Sequence, residues 1–158
     1  MKFLATCACE KVIIDKHGVH SLITVMANMD IALEISPGPD APKEVPPNLV
    51  IPKDWFIFSM WLPSAEEIGK NFVQVIEIYW PNGDKFAEAR LKFKTDEKAQ
   101  YNSLCMQGFP AGQVGNVKVI TWIESEDHRI TEVFDYYLAI KRVSQQEALA
   151  RITAPMTQ

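Results

Sequence analysis

The stretch that decides the fold is residues 71–94, NFVQVIEIYWPNGDKFAEARLKFK. Both halves are rich in β-branched and aromatic residues, and the turn sequence Pro81-Asn82-Gly83-Asp84 separates them. Asn-Gly readily adopts the type I′ turn that closes tight β-hairpins. In the second half, one side carries Ala87, Ala89, Leu91 and Phe93, and the other carries Glu88, Arg90 and Lys92. The stretch therefore predicts a hairpin with one buried face and one solvated face.

The same pattern of apolar runs and turn residues extends from this hairpin in both directions. The predicted strands are residues 3–14, 19–26, 54–62, 71–80, 86–93, 101–107, 116–124 and 130–140. Turn residues join the first two of these strands, and likewise the last two, into hairpins. With about eight or nine strands and no alternating long helices, the chain is predicted to be all-β, an antiparallel two-sheet sandwich.

The length of 158 residues suits a single domain, residues 1–158. Six of the ten prolines fall in residues 36–52, which predicts an irregular crossover from one sheet to the other. A domain boundary is disfavoured there, because only about 35 residues precede it and a domain needs about 50. The C-terminal tail, residues 142–158, has the only helical signal: Ser144 precedes Glu147 by three residues, as in a capping box.

The charge pattern excludes one class of partner. The formal net charge is -4, from 20 acidic and 16 basic residues, and the basic residues are spread among acidic ones. Nucleic-acid binding needs a clustered excess of lysine and arginine, so no nucleic acid is expected as a partner. No run of about 18 apolar residues occurs, so no membrane-spanning segment is expected either.

The N-terminus and the cysteines favour the cytoplasm. Residues 1–7, MKFLATC, resemble the end of a lipoprotein signal, but the apolar stretch is too short for a signal peptide. The three cysteines, Cys7, Cys9 and Cys105, are an odd number, which is typical of free thiols in a reducing compartment. Cys7 and Cys9 are two apart in a predicted strand, so they are expected on the same face.

Residues 54–62, DWFIFSMWL, are the most apolar predicted strand, and both of its alternate faces are apolar. A sandwich strand turns only one face to the core, so the second face needs cover from elsewhere. We expect Trp55, Ile57 and Trp61 to form an interface or ligand face. The other choice is the alternate set, Phe56, Phe58, Met60 and Leu62. A second subunit, or residues 36–52 folding back, would supply the cover.

Two sets of residues have the composition of a metal or thiol site. Thiolates and imidazoles suit zinc, and the set is Cys7, Cys9, His17 and His20. Only one residue separates Cys7 from Cys9, whereas about two to four residues separate the paired cysteines of structural zinc sites. No metal is therefore expected. A thiol nucleophile at Cys105 would need one of three histidines, His17, His20 or His128. No cysteine-protease signature surrounds Cys105, so two buried thiols and a half-buried one are the simpler interpretation.

Carboxylates and glycines form two further sets of candidate site residues. A glycosidase pair could come from Glu66, Glu67, Glu124, Glu126, Asp127 and Asp135. Most of these lie at predicted turns, where acidic side chains are simply solvated. Gly108, Gly112 and Gly115 match neither the P-loop nor the dinucleotide fingerprint, and no helix follows them. No catalytic or cofactor-binding residue is therefore predicted.

The order of features resembles a family of uncharacterised bacterial β-sandwich proteins, a domain of unknown function. The matching pieces are Lys16-His17-Gly18 with Ser21-Leu22-Ile23, residues 46–52 and 55–62, Trp80-Pro81-Asn82-Gly83-Asp84, and residues 115–124. The resemblance covers about residues 2–141 and consists of turn chemistry and strand pattern. It implies a sandwich fold and assigns no catalytic or binding residue.

These observations favour a non-enzymatic cytoplasmic protein without cofactors that forms a homodimer or binds a partner protein through an apolar sheet face. One alternative is a module that binds small ligands or glycans through its tryptophans, which are Trp55, Trp61, Trp80 and Trp122. Another alternative is a metal-dependent or thiol enzyme.

Overall fold

The computed structural model describes residues 1–32, 44–127, 129–130, 133–147 and 150, and nine strands lie within them. The strands are β1 (Lys2–Ile14), β2 (His20–Val25), β3 (Asn28–Ile31), β4 (Val50–Leu62), β5 (Asn71–Tyr79), β6 (Lys85–Lys94), β7 (Gln100–Pro110), β8 (Gly115–Ser125) and β9 (Phe134–Arg142), with a 3-10 turn at Ala65–Glu67.

The strands form two sheets, one with the order β2-β1-β4-β7 and the other with the order β3-β9-β8-β5-β6. Apolar side chains from both sheets share one core, so the predicted two-sheet sandwich is confirmed. One pairing departs from the antiparallel prediction, because β3 runs parallel to β9. Strand β3 was not predicted, since Asn28 and Asp30 are poor strand formers and its partner lies about 110 residues later.

The turn between β5 and β6 is where predicted, but its type differs. The Gly83 N–H donates to the Trp80 carbonyl at 2.9 Å, and Gly83 has a φ of 92° while Asn82 stays out of the left-handed region. This is a type I turn followed by a left-handed glycine bulge, not a type I′ turn. Pro81 explains the difference, because its ring fixes φ near the value that the second position of a type I turn requires.

Strand β3 belongs to the five-stranded sheet and β4 to the four-stranded sheet, so the chain changes sheets between them, and the predicted irregular segment ends earlier than expected because β4 begins at Val50. Residues 33–43 lie outside the described residues. Pro52 belongs to β4, at the point where the register with β7 shifts between Ile51 and Asp54. A proline is tolerated in a strand at such a bulge because no ladder bond needs its missing N–H.

The end of the crossover is fixed against the connection between β7 and β8. The Ala111 N–H donates to the Leu49 carbonyl at 3.0 Å. A Cβ on Gly112 would overlap the Pro47 carbonyl, so only glycine fits there. Arg142 also donates to the Gly112 carbonyl at 2.7 Å. Gly112 therefore serves close backbone packing, which agrees with the absence of a phosphate-loop motif.

A buried polar network joins the two sheets. The Gln74 amide on β5 donates to the hydroxyls of Ser59 on β4 and Thr121 on β8, the latter at 2.9 Å. The Asn102 amide on β7 donates to the Gln74 carbonyl oxygen at 2.7 Å. All four side chains are at most 4% exposed. The low dielectric of the core strengthens these hydrogen bonds and makes any broken one costly.

The network separates two apolar clusters. Ser59 lies between Ile57 of the larger cluster and Trp61 of the smaller, and Gln74 likewise separates Ile76 from Phe72. Because apolar packing has no direction, hydrogen bonds at this level fix which residues of the two sheets face each other.

The predicted C-terminal helix begins as expected. Residues 145–147 are helical. The Ser144 N–H donates to the Glu147 carboxylate at 2.8 Å, and the Glu147 N–H donates to the Ser144 hydroxyl at 3.2 Å. This reciprocal pair is a capping box. Residues 151–158 lie outside the described residues.

Gln74→Leu should destabilise the fold by roughly 2–4 kcal/mol, because it leaves three buried partners without their shared amide. Asn71→Leu is the matched control on the same strand, where the exposed amide donates to Glu126; its effect should stay within about 0.5 kcal/mol. Urea unfolding followed by circular dichroism measures both. Equal stability of the two variants would show that the network does not hold the sheets together.

Gly112→Ala should cost roughly 3 kcal/mol, because the added methyl group meets backbone that cannot move aside. Gly83→Ala is the control: its Cβ would have open space, and only the left-handed φ would be strained, at about 1–2 kcal/mol. Thermal unfolding gives the comparison, and a larger loss at Gly83 would contradict the described packing of the crossover.

Candidate interaction surface

The face of β4 that packs into the core is now defined. Trp55 and Trp61 are 0% exposed and Ile57 is 1% exposed, all against the five-stranded sheet. These three residues are therefore not available to a partner or ligand, which corrects the face assigned from the sequence. Ser59 shares their face, and its hydroxyl is satisfied by Gln74, so the one polar residue of the run points inward.

The outer face of the four-stranded sheet is formed by the alternate set. From β4 it carries Phe56, Phe58, Met60 and Leu62, and the strand registers place Cys7, Cys9, Tyr101, Ser103 and Cys105 beside them. Cys7 and Cys9 thus lie on one face, as predicted. Although it is on the outer face, Phe58 is only 6% exposed, so something covers it.

The cover includes the chain's own β1–β2 hairpin. The His20 ring, at the start of β2, stacks on Tyr101 of β7 with ring centres 4.8 Å apart, and lies 5.9 Å from Phe58. In a flat sheet, β2 and β7 would be separated by roughly 14 Å, three strand spacings. The hairpin therefore curls back across the outer face. Within β2, Thr24 has a φ of 51°, in the left-handed region that non-glycine residues rarely adopt.

The curled hairpin exposes apolar side chains of its own. Ile13, Ile23 and Val25 are 44%, 44% and 56% exposed. The register pairs Ile13 with Ser21 and Lys11 with Ile23, so all three apolar side chains lie on one face of the hairpin. We call Ile13, Ile23 and Val25 the hairpin patch. The sequence signal for it was the apolar run Val12-Ile13-Ile14, which lacks the alternation of a half-buried strand.

The residues proposed for zinc are not brought together. The His17 backbone N–H donates to the Asp15 carboxylate in the turn at 2.8 Å, and His20 stacks on Tyr101. Across the part of the chain that the structure describes, no three His, Cys, Asp or Glu side chains converge as metal ligands.

The thiols lack the electrostatics of a nucleophile. Burial raises the pKa of Cys7, and burial followed by the charge of Cys7 raises the pKa of Cys9 to about 11. Burial and the Asp54 carboxylate raise the pKa of Cys105. A catalytic cysteine needs the opposite shift, because the thiolate is the nucleophile. His128, one of its three candidate bases, lies outside the described residues.

Five of the six candidate carboxylates are engaged by donors or cations. The pairs are Glu67 with the N-terminal ammonium, Glu124 with Arg90, Glu126 with Asn71, Asp127 with Arg129, and Asp135 with Lys118. The Ser125 hydroxyl lowers the pKa of Asp127. Burial raises the pKa of Glu67, but hydrogen bonds from the ammonium and Ser64 outweigh it. A glycosidase general acid needs a raised pKa, which is the opposite of both shifts.

Two shallow concavities lie on the outer face of the five-stranded sheet. The larger, 710 Å³, is lined by Val73, Arg90, Lys92 and Glu124, and Arg90 pairs with Glu124. The smaller, 360 Å³, is lined by Tyr79, Trp80 and Tyr137 among others. Lys118 lies 5.9 Å from the Tyr137 ring centre and Lys85 lies 6.0 Å from that of Tyr79. Both tyrosine rings thus already interact with a lysine, which weakens the case for glycan stacking there.

Comparison of the sequence with models of known protein families gives no match, and comparison with curated proteins gives none either. The resemblance to bacterial β-sandwich proteins therefore stays a prediction. Among the described residues, no helix is long and apolar enough to cross a membrane.

A thiol reagent at about pH 8 should label Cys105 first, because it is exposed, then half-buried Cys7, and Cys9 last. Cys105→Ser should remove the fast phase. Retention of that phase in the variant, read by mass spectrometry of the labelled peptides, would contradict the placement of the three thiols.

The raised pKa of Cys9 also predicts a pH effect on stability. The unfolded thiol loses its proton near pH 8.5, whereas folded Cys9 keeps it to about pH 11. Between these values the folded state binds more protons, so stability falls as the pH rises. Cys9→Ala should make that fall shallower, and an unchanged slope in urea unfolding would contradict it.

Proposed function

We propose that the chain is a non-enzymatic, cytoplasmic protein-binding domain that contacts its partner through the hairpin patch. The observation that carries the proposal is the exposure of Ile13, Ile23 and Val25 on one face of a strand pair. Grouped apolar side chains on a surface typically mark an interaction site, whereas single ones need no explanation.

The surroundings of the patch support a protein as the partner. On the same face Lys11 lies opposite Ile23 and Ser21 lies opposite Ile13, so polar side chains alternate with the apolar ones of the patch. Protein interfaces typically combine apolar contacts with polar side chains. The patch lies on a hairpin and not in a concavity, which also favours a protein surface over a small molecule.

The chemistry of the other candidate sites supports a role without catalysis. All three cysteines have raised pKa values, which disfavour the thiolate. Four of the six candidate carboxylates, Glu67, Glu124, Asp127 and Asp135, are engaged in ion pairs.

Val25→Asp should abolish partner binding, because it places a charge in the apolar contact at the most exposed side chain of the patch. Val114→Asp is the matched control: Val114 is 57% exposed against 56% for Val25, and it lies in the β7–β8 loop. Quantitative mass spectrometry after affinity purification from cells should recover the same partner with wild type and Val114→Asp, and at least tenfold less with Val25→Asp. Equal recovery by both variants would overturn the proposal, provided that circular dichroism shows both to be folded.

A further inference from the structure

The two sheets have four edge strands, and three of them carry features that discourage further pairing. Edge strands expose unpaired N–H and C=O groups, and proteins protect them with charge or keep them short. Strand β6 carries five charged residues, while β2 has six residues and β3 has four. Strand β7 has 11 residues, QYNSLCMQGFP, and none of them is charged. Among the edge strands of the described residues, β7 is the one without such protection.

The regular part of β7 is long enough for an interface. From Gln100 to Gln107 it pairs with β4 in continuous register, and the ladder becomes irregular only near Gly108, which has a φ of 82°. On its other side, no strand of the described part of the chain hydrogen-bonds to β7. An antiparallel ladder over eight residues makes about eight backbone hydrogen bonds, within the range of about 10 ± 5 found in typical interfaces.

We propose that two copies of the chain pair β7 to β7, antiparallel about a two-fold axis, and join their four-stranded sheets into one continuous sheet. Two strands related by a two-fold axis perpendicular to the sheet are antiparallel, and each offers the same surface to the other. The outer face would then bring together only Tyr101, Ser103, Cys105 and Gln107 from each copy.

The absence of charge on β7 suits a second copy as the occupant of this edge. Each chain has a net charge of -4, so two copies repel each other over most of their surfaces. An uncharged strand is the place where they can approach without opposing like charges. Pairing would also cover Leu104 and Met106, which pack against the core but remain only half-buried at the open edge. This surface shares no residue with the hairpin patch, although Tyr101 of β7 touches His20 of the same hairpin.

The first test is the solution mass of the full chain, measured by sedimentation equilibrium up to roughly 100 µM. Interfaces of standard size have Kd values from about micromolar to picomolar, so a dimer of this kind should be populated at that concentration. The wild type should be a dimer. Cys105→Lys should weaken dimerisation at least tenfold, because it places lysines on adjoining strands at the edge. Leu62→Lys is the matched control: it adds the same charge to the same outer face, but on β4. It should leave the dimer intact.

The second test is site-specific. In a two-fold ladder centred on Leu104, the Cα atoms of the two Cys105 residues lie roughly 8 Å apart. A short bis-maleimide should therefore give a covalent dimer with the wild type and none with Cys105→Ser. Backbone amides of alternate β7 residues should also exchange with solvent more slowly as the protein concentration rises, while those of β6 should not change.

Three outcomes would overturn the proposal. The first is a monomer over the whole concentration range. The second is a dimer that Cys105→Lys leaves intact, or that Val25→Asp dissociates, which would place the contact elsewhere. The third is slow amide exchange in β7 that appears only when a single copy of the chain has a peptide bound. The occupant of the edge would then be a strand from a partner protein. Partner binding by the hairpin patch has its own readout, affinity purification with Val25→Asp and Val114→Asp, so a monomer at all concentrations would leave that proposal standing. A dimer that Val25→Asp dissociates would instead make a second copy the partner at the patch.

Discussion

Strand β4 has large apolar side chains on both faces, and the need to bury both is the constraint on which the rest of the structure depends. On the inner face, Trp55, Ile57 and Trp61 are covered by the five-stranded sheet. Each such side chain stabilises the fold by about 1.5–3 kcal/mol when fully buried. On the outer face, Phe58 is covered in part by a hairpin that curls back over its own sheet. The sandwich alone would bury only one of the two faces.

The hydrophobic effect explains why the sheets meet but not how they align. The amide of Gln74 supplies direction, because it binds hydroxyls on two strands and accepts a hydrogen bond from a third. These contacts lie between the two apolar clusters, so a shift of one sheet against the other would leave buried polar groups without partners. Within the four-stranded sheet, the strand order β2-β1-β4-β7 makes β7 an edge.

The sequence predicted the parts of the fold that depend on local chemistry. Asp15 and Gly18 located the first hairpin, and the structure shows Asp15 accepting from the turn while Gly18 has a φ of 79°. The capping box at Ser144 depends on residues three apart and was also predictable. Strand β3 was not, because its four residues have weak propensity and gain order only from a distant partner.

The candidate site was harder to predict for a physical reason. Periodicity cannot decide which face of a strand is buried when both are apolar, and the single polar residue, Ser59, points into the core because distant Gln74 satisfies it. The curl of the hairpin is a tertiary effect with no local pattern. The uncharged run in β7 was visible in the sequence, but it became informative only once the sheet order made that strand an edge.

The hairpin that covers Phe58 also carries the exposed patch, so one structural feature links the burial of β4 to the proposed contact surface. The most direct test is a nuclear Overhauser spectrum of the protein. The account predicts cross-peaks from the His20 ring protons to the rings of Tyr101 and Phe58, whose centres lie 4.8 Å and 5.9 Å away. A His20 ring without contacts to either aromatic residue, together with a solvent-accessible Phe58, would contradict it.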